Sequence, residues 1–296
     1  MIRSYVALGD SFTEGMEDEL GPSGRHRGWA DRVAAGIAVA QGSVRYANLA
    51  VRGRLLDQVV AEQLPVALRL EPDLVSFHAG PNDVLRPRTD LSALLARYDA
   101  AVAELAGAGR PVLLFTVIER TGTGRTAERL AARFRAFNDG VRATAAAHGA
   151  VLVDLATVPV LGDRRLWHED RLHLAPEGHA RVAAAVLEAL GRAGILTGPS
   201  DADPSGTAGV GSSGAGPSGE PAAAAGVGPS GEAAEADWWR TALPGSARAT
   251  RRAALVADVR WVRIHLLPWI GRRIRGVSSG DGVTAKHAEL VDVIAD

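Results

Sequence analysis

Through residues 1–197 short apolar runs alternate with longer stretches whose apolar residues recur at helical spacing. The runs Tyr5–Leu8, Val44–Ala47, Leu74–Phe77, Val112–Val117 and Val151–Leu155 predict buried strands. Alanine- and arginine-rich segments around Trp29–Val39, Leu55–Leu68, Leu91–Leu105 and Ala127–Ala147 predict helices. A last helix, about Pro176–Leu190, closes the unit, with Pro176 suited to a first turn. Such alternation implies a parallel sheet covered on both faces, and five strands fit an α/β fold of the flavodoxin-like, three-layer α/β/α type.

The pattern then breaks twice. Residues 198–236 are dominated by Gly, Ser, Pro and Ala, with Gly-Pro-Ser-Gly-Glu at 216–220 and again at 228–232. So little large apolar surface cannot offset ordering entropy, which predicts a disordered linker. Residues 237–296 read as a separate, basic, helical C-terminal segment. Its part 237–276 holds four of the chain's six tryptophans and nine arginines against Asp237 and Asp258, a charge of 9 − 2 = +7. Leu255, Val259, Val262 and Leu266 form an apolar stripe, Pro268 ends or kinks the helix, and Thr284–Ile294 is expected to form a short final helix. Three uses fit this segment: peripheral contact with an anionic membrane, docking on the catalytic unit or another protein, and, least favoured, nucleic-acid binding, for which no motif is present.

Composition narrows the chemistry. A net charge of −1 gives no global bias towards nucleic acid. The absence of cysteine excludes disulfides, thiol catalysis and thiolate-bound metal. Met1-Ile2-Arg3-Ser4 runs straight into the first strand, and no apolar run approaches a bilayer span, so a cytoplasmic protein, at most peripheral to a membrane, is expected.

Gly9-Asp10-Ser11 ends the first strand, where a parallel sheet presents side chains to its ligand crevice. A nucleophilic serine needs a base and an acid to orient that base. Asp170 and His173, three residues apart before the last helix, can supply both from one turn. Oxyanion donors are available from the Ser11 N–H, from Gly53 in the Asn48–Gly53 loop, and from the Asn82 amide in Gly80-Pro81-Asn82-Asp83. In order, these four blocks resemble those of the SGNH/GDSL hydrolase family, over residues 1 to about 195. The resemblance implies Ser11 as nucleophile, His173 as base, Asp170 as orienter, and an oxyanion hole of Ser11, Gly53 and Asn82. It also implies ester or thioester hydrolysis of a small-molecule or lipid substrate with no cofactor and no metal. The first block has Phe12 where the family often has leucine.

Blander roles stand beside these. Ser11 could simply cap a helix, and His168, Asp170 and His173 could hold a metal. His78 reads as a strand-end histidine that could line the pocket, His179 as structural, and Asp83 as a local brace for the Asn82 loop. Arg52 is read as meeting either an anionic substrate group or solvent, and the polar segment Glu119–Arg129 as either crevice wall or surface loop. Two alternatives to a simple esterase follow: a membrane-surface lysophospholipase or thioesterase that uses the basic segment, and a non-catalytic adaptor on the same scaffold.

Overall fold

The computed structural model describes residues 1–119, 124–197, 237–245, 251–275 and 277–295. The expected linker 198–236, and residues 120–123 of the polar segment after the fourth strand, lie outside the described residues.

The five predicted strands form: β1 (Ser4–Gly9), β2 (Ser43–Asn48), β3 (Leu74–His78), β4 (Val112–Phe115) and β5 (Val151–Val153). All their pairings are parallel, in the order β5-β4-β3-β1-β2. Successive side chains divide strictly between two cores, as the strand period of two requires. Tyr5 and Ala7 of β1 face the core built with Trp29, Val33 and Ile37 of α2 (Gly28–Gln41) and Val182 and Val186 of α8 (Pro176–Arg192). Val6 and Leu8 face the other, filled by α3 (Leu56–Glu62), α4 (Leu64–Leu70), α6 (Leu91–Gly107) and α7 (Arg125–His148). Two one-turn helices, α1 (Ser11–Glu14) and α5 (Pro81–Val84), follow β1 and β3. β1 and β3 are neighbours, with β2 on the far side of β1, so the chain reverses direction across the sheet between them. That reversal opens the crevice in which folds of this type bind ligands, at the carboxyl ends of the strands.

Two expectations need correction. The single helix expected over 55–68 is broken into α3 and α4, because Pro65 begins a new first turn and cannot continue the preceding ladder. The C-terminal segment is not purely helical and not a separate body. Instead of a final helix, His287–Ile294 forms strand β6, antiparallel to β2, with Ser43 opposite Ile294 and Tyr46 opposite Val291. The edge of β2 offers unpaired N–H and C=O groups, and that ladder outweighs any helical preference of these residues. Lys286, the only lysine, anchors the approach to β6: its ammonium lies 2.7 Å from the Asp31 carboxylate of α2.

Earlier in the segment, Trp239 is buried against α8 and gives its indole N–H to Glu188 at 2.9 Å. Arg181 of α8 donates to the carbonyls of Trp239 (3.0 Å) and Thr241 (2.8 Å). Helix α9 (Arg251–Trp261) runs through one π-helical turn, Val262–Leu266, into α10 (Leu267–Ile274). Pro268 falls in the first turn of α10, directly after the π turn, rather than ending the helix. Among the described residues no helix is long and apolar enough to cross a membrane.

Candidate active site

Ser11 is the first residue of α1 at the exit of β1. Asp10, its N-cap, accepts the Phe12 N–H at 3.1 Å, so Ser11 stands at a helix N-terminus. A side chain at Gly9 would strike the Thr13 hydroxyl at 2.5 Å and the His78 carbonyl at 2.6 Å, so only glycine permits so tight an exit. Buried Gln63 grips the same residue from both sides: its Oε1 accepts the Gly9 N–H (2.8 Å) and its Nε2 donates to the Gly9 carbonyl (2.9 Å). His78 is buried beneath the turn, its ring 4.4 Å from that of Phe12 and its Nδ1 3.7 Å from Asp10.

The loop after β2 carries Gly53 at φ +75°, a left-handed conformation that glycine adopts without strain. Asn48 starts this loop, fully buried, donating to the Thr13 carbonyl and accepting from the Ala50 N–H. Arg52 is not a freely solvated side chain. Glu14 accepts its backbone N–H at 2.7 Å and its Nε at 2.9 Å, with a further guanidinium contact, so the pair staples the Gly53 loop to the serine helix.

After β3, α5 presents Asn82. Its Nδ2 donates to Asp10 Oδ2 (3.0 Å) and to the Arg54 carbonyl (3.1 Å), tying together the three loops that carry Ser11, Gly53 and Asn82. Asp83 accepts the Leu56 N–H at 2.9 Å, the bracing role read from its position, though to α3 rather than within its own loop.

The fourth block is a turn closed by the Trp167–Leu174 bridge and by the His168 N–H on the His173 carbonyl. His173 Nδ1 lies 2.5 Å from Asp170 Oδ2, while Asp170 Oδ1 accepts the N–H groups of Leu172 and His173. Burial opposes ionisation of Asp170, but the His173 ring and the two N–H donors outweigh it and hold the carboxyl well below its ordinary range. With Nδ1 committed to the carboxylate, Nε2 is left as the proton acceptor. Arg171, between the acid and the base, has φ +61°, an unfavourable conformation for a side chain of its size.

His179 is structural: its Nε2 meets the Met16 carbonyl at 3.0 Å, and burial pushes its pKa down to about 4. Glu17, His168 and Asp170 offer ligand atoms within 4.8 Å of one another, but the Asp170 carboxylate is already spent on His173 and two N–H groups, which leaves a poor donor set for a metal.

The four blocks are therefore brought to one edge of the sheet. Gln63, Glu14 and the partners of Arg171 escaped sequence reasoning, because a helical Gln or Glu has no local signature for a contact made across the fold.

The segment after α10 also enters the site. A side chain on Gly53 would meet the Ser278 hydroxyl at 2.5 Å, and one on Gly280 would meet the Arg52 carbonyl at 2.0 Å. On the other side, Trp261 Nε1 donates to the Asp170 carbonyl at 2.8 Å, Arg171 pairs with Asp258 at 2.6 Å, and the Arg171 guanidinium lies 4.8 Å from the Trp261 ring centre. The C-terminal segment thus touches both the loop of Gly53 and the turn of Asp170.

Solved structures share the fold. A lipase/acylhydrolase from Enterococcus faecalis is 24% identical at a TM-score of 0.55, covering 66% of this chain and 98% of its own. An acetyl xylan esterase from Geobacillus stearothermophilus is 21% identical at 0.54, covering 64% and 94%. TesA is 23% identical at 0.53, covering 63% and 97%. Among curated proteins no sequence matches the chain. Residues 7–181, more than half of the chain, match the GDSL-like lipase/acylhydrolase family. The chain belongs to that family of carboxylic ester hydrolases.

Proposed function

We propose that the protein cleaves carboxylic esters or thioesters through an acyl-enzyme on Ser11. The observation that carries the assignment is the 2.5 Å contact between His173 Nδ1 and Asp170, which fixes the tautomer a general base needs. His173 Nε2 takes the Ser11 hydroxyl proton as Oγ bonds to the acyl carbon, and the carbonyl electron pair moves onto its oxygen. The Asp170 carboxylate steadies the resulting imidazolium. The oxyanion is received by the N–H groups of Ser11 and Gly53 and by Asn82, whose amide swings one N–H from the Arg54 carbonyl to the substrate. Collapse of the intermediate breaks the bond to the leaving oxygen or sulfur, which takes the proton from His173. Water, deprotonated by His173, then attacks the acyl carbon, the bond from that carbon to Ser11 Oγ breaks, and His173 returns the proton to Oγ as the acid leaves.

A fluorophosphonate probe tests this directly. It is expected to label Ser11, and Ser11→Ala is expected to lose labelling and to lower kcat for p-nitrophenyl butyrate by at least a thousandfold with an unchanged melting temperature. Full activity in Ser11→Ala, or labelling elsewhere, would overturn the assignment.

A further inference from the structure

Helices α9 and α10 hold large apolar side chains out of the protein. Leu255, Val256, Val259, Ile264 and Leu267 are 64, 62, 54, 52 and 55% exposed, including the two residues that begin the predicted apolar stripe. The first half of the stripe, Leu255 and Val259, therefore does not cover the catalytic unit, although Val262 and Leu266 are half-buried; Trp261 and Asp258 make contact with that unit. So much apolar surface on one helical run marks a contact site.

Charge identifies the occupant. Arg252, Arg260, Arg263 and Arg275 are exposed on the same run, and its one acid, Asp258, is spent on Arg171. Between α9 and the catalytic turn lies a cleft of about 580 Å³, lined by Arg164, Arg171, Arg252 and Arg260 against the single carboxylate of Glu169. Arg164 directs its guanidinium at the carbonyls of Trp167 and Glu169, and the Glu169 carboxylate, 3.8 Å from Arg260, is the one acid among the lining residues, so the recess keeps an excess of positive charge. Apolar side chains beside an arginine-lined recess fit acyl chains beside phosphate headgroups, whereas a second copy of this segment would bring like charges together.

We propose that the outer face of α9 and α10 docks on an anionic phospholipid bilayer, with a lipid phosphate seated in the arginine cleft. The helix lies on the surface rather than crossing it, and the Trp261 bond to Asp170 places the catalytic turn next to the bound lipid. Docking does not depend on the role of Ser11, so full-length Ser11→Ala protein serves for the test and the lipid is not consumed.

Co-sedimentation with phosphatidylcholine vesicles, with and without phosphatidylglycerol, measures the docking. Retention is expected only with phosphatidylglycerol. It should weaken about thirtyfold when Arg252→Gln and Arg260→Gln are combined, and by at least tenfold when Leu255→Ser and Val259→Ser are combined at unchanged charge. Both pairs are exposed, and an unchanged melting temperature confirms that each variant folds. Equal retention on neutral vesicles, or none on either, would overturn the proposal. So would complete displacement by inorganic phosphate with no effect of the apolar pair, which would leave a phosphate site without bilayer docking. Self-association abolished by the apolar pair, with no vesicle binding, would assign the face to a second copy of the chain.

Discussion

Trp261 holds Asp170 by its backbone while His173 holds it by its carboxylate: the indole N–H meets the Asp170 carbonyl at 2.8 Å and the imidazole meets Oδ2 at 2.5 Å. The acid of the proposed triad is thus fixed from both ends, one of them by a helix outside the family match at residues 7–181. Trp261→Phe keeps a ring beside Arg171 and removes only the indole donor. We expect kcat for a short-chain ester to fall about tenfold, one hydrogen bond of positioning, with KM little changed. Equal loss in both parameters, or none in either, would show that the contact does not orient the turn.

Gly280 tests the opposite flank. It packs so closely on the Arg52 carbonyl that an added methyl would sit 2.0 Å away, and Arg52 precedes the proposed oxyanion donor Gly53. Gly280→Ala should displace that loop and lower kcat/KM at least tenfold. Gly107→Ala, at the end of α6 with open space around it, is the control and should leave kcat/KM within twofold of wild type.

These contacts explain why the sequence is legible in one half of the molecule and opaque in the other. Strands β1, β3 and β4 show as apolar runs because both faces of each are buried, and the four blocks show because each sits on a loop at a strand exit, where turn chemistry restricts residue type. Gln63 has no such signature: it lies where two helices break, and its partner Gly9 is 54 residues away. β6 was hidden for a related reason. Whether His287–Ile294 becomes strand or helix depends on an open edge at β2, more than 230 residues earlier in the chain, not on its own periodicity. The stripe through Leu255 and Val259 was visible, but a helical stripe does not say whether protein, lipid or solvent covers it.

Gln63 should matter to stability and to catalysis together. Gln63→Leu would strip both backbone groups of Gly9 of their side-chain partners in a buried setting. The Gly9 carbonyl keeps the Val51 N–H at 3.3 Å, so the unpaired Gly9 N–H dominates, and a loss of about 1–3 kcal/mol is expected in urea unfolding. Gln63→Glu keeps the acceptor for the Gly9 N–H and should recover part of it at low pH, where the protonated acid can again donate to the Gly9 carbonyl.

Lys286 and Asp31 tie β6 to α2. Both are largely buried, and desolvation raises the Asp31 pKa to about 6 although the Lys286 ammonium beside it works in the opposite direction. Lys286→Met removes that counter-charge and should cost about 3 kcal/mol at neutral pH, where buried Asp31 must either hold its charge without a cation or take up a proton. The penalty should shrink on acidification, because protonated Asp31 no longer needs a cation. A constant penalty between pH 7 and 5 would show that the lysine acts by packing alone.

His179 gives the reverse dependence. Its folded pKa of about 4 lies below the unfolded value of 6.5, because burial opposes the charged ring. The unfolded chain therefore binds the proton first as pH falls, so stability is complete above about pH 6.5 and drains away down to about pH 4. The loss is on the order of 3 kcal/mol, at about 1.4 kcal/mol per unit of pKa difference. Asp31, with its raised pKa, has the opposite slope over much of this range and masks the effect in the wild-type curve alone. The difference between wild type and His179→Gln isolates it, since the Gln amide can still donate to the Met16 carbonyl but does not titrate. Urea unfolding of both proteins from pH 7.5 to 4 should show the wild type losing ground steadily to the variant. Parallel curves would mean that His179 enters and leaves the fold with the same protonation state.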